Sequence, residues 1–160
     1  MERPARTLGI ILGFIVSIPL APAEPVTTTP LQVCGLGTLE CAAYSPTGTH
    51  LLTVGSAGAF LWNAETARVL RSFEGHTARI LSVTLSPDGT KALTGSEDTT
   101  ARLWNTANGT VLLTLTGHTG GISSVAFSPD GSRVLTGSFD QSAKLWNSST
   151  GAEIRTFPAN

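Results

Sequence analysis

Residues 77–118 read TARILSVTLSPDGTKALTGSEDTTARLWNTANGTVLLTLTGH, and residues 119–160 read TGGISSVAFSPDGSRVLTGSFDQSAKLWNSSTGAEIRTFPAN. Laid one on the other, 19 of the 42 positions are identical. Trp62, Trp104 and Trp146 stand 42 apart, each within Leu-Trp-Asn, and Gly75-His76 returns 42 residues later as Gly117-His118. Ser45-Pro46, Ser86-Pro87 and Ser128-Pro129 keep the same beat within one residue. A fixed period of roughly 40–45 residues marks one supersecondary unit stacked on copies of itself. Three copies are expected, over about 36–76, 77–118 and 119–160.

Within the second copy, Ile80–Leu85 alternates apolar and polar residues and is rich in β-branched ones, the pattern of a half-buried strand. Ser86-Pro87-Asp88-Gly89 follows as a turn, because proline presets φ and glycine accepts positive φ. Ala92–Ser96 reads as a second strand, Glu97-Asp98-Thr99 as a tight connection, Ala101–Trp104 as a third strand and Val111–Leu115 as a fourth. No stretch after Glu24 keeps a helical period. Each copy is thus predicted to be a small antiparallel sheet of four strands, apolar on both faces and dependent on its neighbours.

These residues resemble the WD-repeat β-propeller family, whose units open near Gly-His and close with Trp-Asp. The resemblance covers residues 31–160 and rests on Gly-His, Ser-Pro-Asp-Gly, Gly-Ser-x-Asp and Leu-Trp recurring in order. It implies an all-β fold of three four-stranded antiparallel blades, a partial or open ring. The closing dipeptide here is Trp-Asn in every copy, a mild departure, since asparagine can cap a turn through its side chain. The resemblance also implies a buried hydrogen-bond chain in each blade. In the second blade it would use His76, Thr94, Asp98 and Trp104, and in the third His118, Thr136, Asp140 and Trp146. A buried carboxylate needs donors, and histidine and threonine supply them. The first copy departs: Cys34-Gly35 stands where Gly-His is due, Ala57 or Gly58 replaces the aspartate, and the turn is one residue shorter. Only Thr53 and Trp62 remain, so the first blade is expected to be the weakest or a capping unit.

The chain ahead of the repeats has a different character. Arg3 and Arg6 precede an apolar run, Leu8–Leu20, and Ala21-Pro22-Ala23 supplies the small residues of a cleavage site before Glu24. This is the layout of a secretory signal over residues 1–23. The alternative is an uncleaved membrane anchor, but the run rises only about 20 Å as a helix against a hydrocarbon core of about 30 Å. Residues 24–30, EPVTTTP, read as an extended Pro/Thr linker. A secreted or periplasmic location follows, as in exported bacterial arrays of such repeats. Cys34 and Cys41 could pair in an oxidising compartment, while Cys41 falls mid-strand and could equally serve as core.

Charged residues make up 13% of the chain and the net charge is −1. That leaves no basic footprint for a nucleic-acid partner. Ser96, His76 and Asp98 could be read as nucleophile, base and orienting acid. The same three residue types return as Ser138, His118 and Asp140. A fold determinant has reason to recur at the repeat period and a catalytic triad has none, so no enzyme is expected. His76 and His118 fall in separate copies and His50 lies at the other end of its sheet, so no shared metal site is expected. Each Ser-Pro-Asp-Gly turn offers one acid where calcium wants six or more oxygens. The glycine pairs punctuate turns, and no cofactor is implied.

What remains is surface recognition by a protein partner. In the family, partners commonly dock on the loops from fourth to first strand and from second to third strand. Here those loops carry Arg79, Glu97, Thr99, Phe139 and Gln141. Phe139 takes the place of Glu97 one copy back, so the fold does not require an aromatic there. The expected function is a non-catalytic, exported protein-interaction scaffold. The alternative is a fragment, or the sensory module, of a larger secreted or envelope enzyme. A propeller closes with about four to eight blades, and three leave two sheet faces open. More of the same gene, a second protein, or self-association could cover them.

Overall fold

The computed structural model describes residues 38–158. The signal read at 1–23, the linker at 24–30 and Cys34, with its possible bridge to Cys41, lie outside the described residues. Twelve strands and no helix occur among the described residues. The first sheet is β1 (Leu39–Tyr44), β2 (His50–Gly55), β3 (Gly58–Asn63) and β4 (Val69–Phe73). The second is β5 (Ile80–Leu85), β6 (Lys91–Ser96), β7 (Ala101–Asn105) and β8 (Val111–Leu115). The third is β9 (Ile122–Phe127), β10 (Arg133–Ser138), β11 (Ser142–Asn147) and β12 (Glu153–Pro158). Each sheet is antiparallel, with its strands in sequence order. The four strands read from the second copy are all present, two of them one residue longer than the pattern suggested. The fold is therefore the all-β stack of four-stranded blades anticipated above.

Local chemistry closes the turns after the first and third strands. Ser86 Oγ donates to Asp88 Oδ1 at 2.5 Å and accepts the Lys91 N–H at 2.9 Å, closing the β5–β6 turn. Ser128 and Asp130 repeat this in the third sheet, also at 2.5 Å. Between third and fourth strands the asparagine of Trp-Asn does the capping. Asn63 Oδ1 accepts from the N–H groups of Glu65 and Thr66, Asn105 Oδ1 from Ala107, and Asn147 Oδ1 from Ser149 and Thr150. An acceptor on a short side chain is all this turn needs, which explains why asparagine serves in place of aspartate. The turn ends in the left-handed region at Gly109 and Gly151, but at Ala67 (φ 52°) in the first copy. That copy holds a strained residue where the others have glycine.

Register breaks recur at the repeat period as well. The pairing of third with fourth strand shifts at Leu61/Trp62, Leu103/Trp104 and Leu145/Trp146. The extra residue sits on the fourth strand each time, at Leu70, Leu112 and Ile154, and a bulge that returns in every copy is a feature of the design.

The sheets stack face to face. Leu52, Val54, Ala59, Leu61 and Phe73 of the first sheet pack on Ile80, Val83, Leu85, Ala92 and Trp104 of the second. Leu93, Ala101, Leu103 and Leu115 then pack on Ile122, Val125, Val134 and Trp146 of the third. First strands sit closest to the preceding sheet: β5 lies against β1 and β2, and β9 against β5 and β6. Cys41 is half-buried against the first of these cores. Gly95 makes the second junction possible, since a Cβ there would stand 2.5 Å from Ile122 Cγ2 and 2.9 Å from Val125 Cγ1.

Gly95→Ala is expected to push the third sheet off the second and to cost about 1–3 kcal/mol, as overpacking of a dense core does. Urea unfolding followed by tryptophan fluorescence checks this, and an unchanged midpoint would show that the sheets are not in close contact at Gly95.

Candidate interaction surface

Burying a sheet face to face against its neighbour leaves the loop between sheets to be tied down. In the second sheet the tie runs through four side chains. Trp104 Nε1–H donates to Thr94 Oγ1 at 2.8 Å, and Thr94 Oγ1 lies 2.8 Å from His76 Nε2. His76 Nδ1 lies 2.7 Å from Asp98 Oδ2. One proton order satisfies the whole chain: tryptophan donates to threonine, threonine to Nε2, and Nδ1–H to the carboxylate. Asp98 also accepts from the Thr77 N–H and from the N–H and hydroxyl of Thr100. The third sheet repeats the set with Trp146, Thr136, His118, Asp140, Thr119 and Ser142, at distances within 0.1 Å. In the first sheet only the bond from Trp62 Nε1 to Thr53 Oγ1 (2.8 Å) occurs.

Gly75 belongs to this arrangement. Its φ of 149° is a glycine conformation, and a Cβ there would meet Arg102 Nη1 at 2.5 Å and the Trp104 ring at 3.4 Å. Gly-His is thus one unit: the glycine lets the loop pass over the tryptophan, and the histidine reaches down into the sheet. His76 lies edge-on to Trp104, and Phe73 of the preceding sheet packs on the same indole.

Electrostatics follow from burial. Desolvation lowers the His76 pKa below its ordinary value, only partly opposed by its bond to Asp98. Burial pushes the Asp98 carboxyl up, but the bonds from Thr100, His76 and Thr77 outweigh it and hold the pKa at about 2. Asp140 is lowered in the same way: burial opposes, while Ser142, His118 and Thr119 prevail.

The triad geometry read from the sequence is met by other atoms than those proposed. Ser96 Oγ donates to the Ala78 carbonyl and accepts the Asp98 N–H, so it does not face His76. The hydroxyl on His76 is that of Thr94, which is fully buried and also receives the Trp104 N–H. A nucleophile sealed beneath an indole has no path to a substrate. His50 bonds Thr49 Oγ1 at the far end of its sheet. Among the described residues no three His, Cys, Asp or Glu side chains gather as a metal site needs.

The four residues proposed for partner contact lie on the end of the stack where these networks surface. Arg79 pairs with Glu40 of the preceding sheet, and its carbonyl accepts the Glu97 N–H at 2.9 Å. Gly121 packs closely enough on Glu97 that a Cβ would stand 3.0 Å from its Cα. The Gly121 carbonyl accepts the Phe139 N–H at 2.9 Å. Phe139 projects with 66% of its surface exposed. Gln141, like Thr99 one copy back, sits at positive φ (65° and 69°) directly after the clamped aspartate. Sequence reading missed Thr100 and Ser142, although their 42-residue spacing and their place two residues after each aspartate were available as a signal. Glu40 had no such signal, because its partner lies in another copy.

Asp98→Ala is expected to cost about 1–3 kcal/mol by leaving the His76 donor unpaired, and Asp140→Ala to act alike, while Ala57→Ser stays within about 0.5 kcal/mol. Acid should destabilise the wild type in two windows. Below the ordinary histidine value of 6.5 the unfolded chain binds a proton that buried His76 resists. Between 3.8 and about 2 the same holds for Asp98. Urea midpoints at pH 7.5, 5.5 and 3 check the sign, and a rise on acidification would contradict it.

Residues 67–105 and 109–147 each match the sequence family described as WD domain, G-beta repeat. Each segment opens just before a fourth strand and closes at the end of the next sheet's third strand. Residues 38–66, whose copy lacks the histidine and the aspartate, lie outside both matches. No curated protein sequence matches the chain. Among solved structures the chain is similar to one described as "Structure of U3-55K", with a TM-score of 0.72 and 22% identity. The match covers 76% of this chain and only 39% of that one. At that identity the likeness speaks for the fold alone. Residues 67–105 and 109–147 thus match the WD repeat, and the sheets they build have the four-stranded antiparallel form of such blades.

Proposed function

We propose that this chain is a non-catalytic scaffold that binds a protein partner on the end of the stack bearing Arg79, Glu97, Phe139 and Gln141. WD repeats generally serve protein–protein interaction, and the observation that carries the reading is Phe139. Among the described residues it is the most exposed of the large apolar side chains, yet its backbone is clamped on both sides. Its N–H is bonded to the Gly121 carbonyl, and Asp140 beside it is locked by His118, Thr119 and Ser142. An aromatic held rigidly in water loses little conformational freedom when a partner covers it, which is what makes a hot spot. Arg79, Glu97 and Gln141 supply a polar rim. The absence of chemistry is supported by the burial of Thr94 beneath Trp104, which seals the hydroxyl that lies against His76 Nε2.

Export from the cytoplasm is part of the proposal. It rests on Arg3, Arg6, the apolar run Leu8–Leu20 and Ala21-Pro22-Ala23. A photoreactive amino acid at position 139 is expected to cross-link a defined protein from an envelope extract, and one at position 130, on the opposite end, is not. Equal adducts from both, or none from position 139, would overturn the surface assignment. N-terminal sequencing of the cellular product should begin at Glu24, and a cytosolic chain that keeps its leader would remove export.

A further inference from the structure

The third sheet presents an outer face on which Leu135 pairs across the ladder with Leu145, and Ala143 with Phe157. The same positions one copy back are Leu93, Leu103, Ala101 and Leu115, and two copies back Leu52, Leu61, Ala59 and Phe73. Both earlier sets are buried against a following sheet. Leu93 and Leu115 are 0% and 2% exposed, whereas Leu135 and Phe157 are 41% and 43% exposed. Gly137 adds a shape to this face. Its counterpart Gly95 accepts Ile122 and Val125 into the space of its missing side chain, but at Gly137 the nearest atom is Ser124 Cβ at 3.7 Å. No described residue fills the space at Gly137, a place that Val54 takes with its own side chain two copies back.

The first sheet carries the other half of the same junction. Leu39 and Ala42 occupy the places of Ile80 and Val83, and of Ile122 and Val125, by their pairing with Gly55 and Thr53. Around them on the outer face lie half-exposed Tyr44, Leu51, Trp62 and Phe60, the last two rings packed together at 6.3 Å. Phe60 replaces the cations of the later copies, Arg102 and Lys144, so this face is apolar where theirs are charged.

We infer that a second copy of this chain stacks head to tail, the outer face of its first sheet seated on Leu135, Gly137, Leu145 and Phe157 of the first copy. The junction is continuous with the two already formed inside the chain and uses the same positions in the same register. It is heterologous, so two copies that each give and receive a face close into a ring and cannot extend further. Two three-sheet stacks make six sheets, inside the roughly four to eight of closed propellers.

Sedimentation velocity of the 160-residue chain tests this, with a dimer as the expected species. Leu135→Arg sets a charge on a side chain that is 41% exposed in the single chain, so it should weaken the dimer at least tenfold while leaving the monomer's strand signal and melting unchanged. Phe60→Arg should weaken it from the opposite face. Mixing the two variants should restore a heterodimer, because one junction of the pair then joins two intact faces. A monomer at all concentrations, a dimer indifferent to Leu135→Arg, or failure of the mixture to recover would overturn the inference.

Discussion

The indole N–H of Trp104 on Thr94 Oγ1 is where a local bond becomes a long-range one. Tryptophan and threonine sit on adjacent strands of one sheet, but the histidine that completes the pair arrives on the loop leaving the sheet before. The aspartate comes from the turn at the sheet's end. Four groups, from two strands and two loops, are thus mutually satisfied at the seam between two layers. A buried polar chain of this kind is worth keeping only when complete, since any half-made member leaves a desolvated donor. Where the first copy lost its histidine and aspartate, it lost both and kept the tryptophan–threonine bond that stands alone.

That tie explains the rest of the architecture. A loop held down over the indole by glycine and histidine delivers the next first strand against the preceding sheet, where Ile80 or Ile122 meets small residues such as Ala59, Ala101 and Gly95. The layers can then be thin and the turns short. Most turns are closed by a serine, asparagine or aspartate within their own few residues, so the backbone polarity there is met locally. Outer edge strands pay less attention to packing: Val69, Val111, Leu112 and Ile154 all remain largely exposed.

Much of this was legible in the chain because the repeat multiplies every signal. Alternation in one six-residue strand is weak evidence, but the same alternation twice more at a constant interval is strong. The strand ends of the second copy lay within a residue of their sequence reading for that reason. The polar network was legible through the resemblance and through recurrence, while its serine and threonine clamps, Ser142 and Thr100, escaped notice as ordinary turn residues. The Arg79–Glu40 pair was illegible, since it joins unlike positions in different copies. So was the notch at Gly137: a glycine in a strand reads the same whether a neighbour fills its space or not.

The clamped aspartate has one more implication. Because Asp98 and Asp140 are gripped from below by the same donors, the residue just before each of them is fixed in direction and free of any duty in the core. Glu97 and Phe139 differ in charge, volume and polarity, yet the carboxylates beside them keep the same set of contacts. Such a position behaves as a socket: its contents can be exchanged without disturbing the frame. New binding preferences can therefore be acquired by substitution at the tips alone, with the stability of the array left out of the trade.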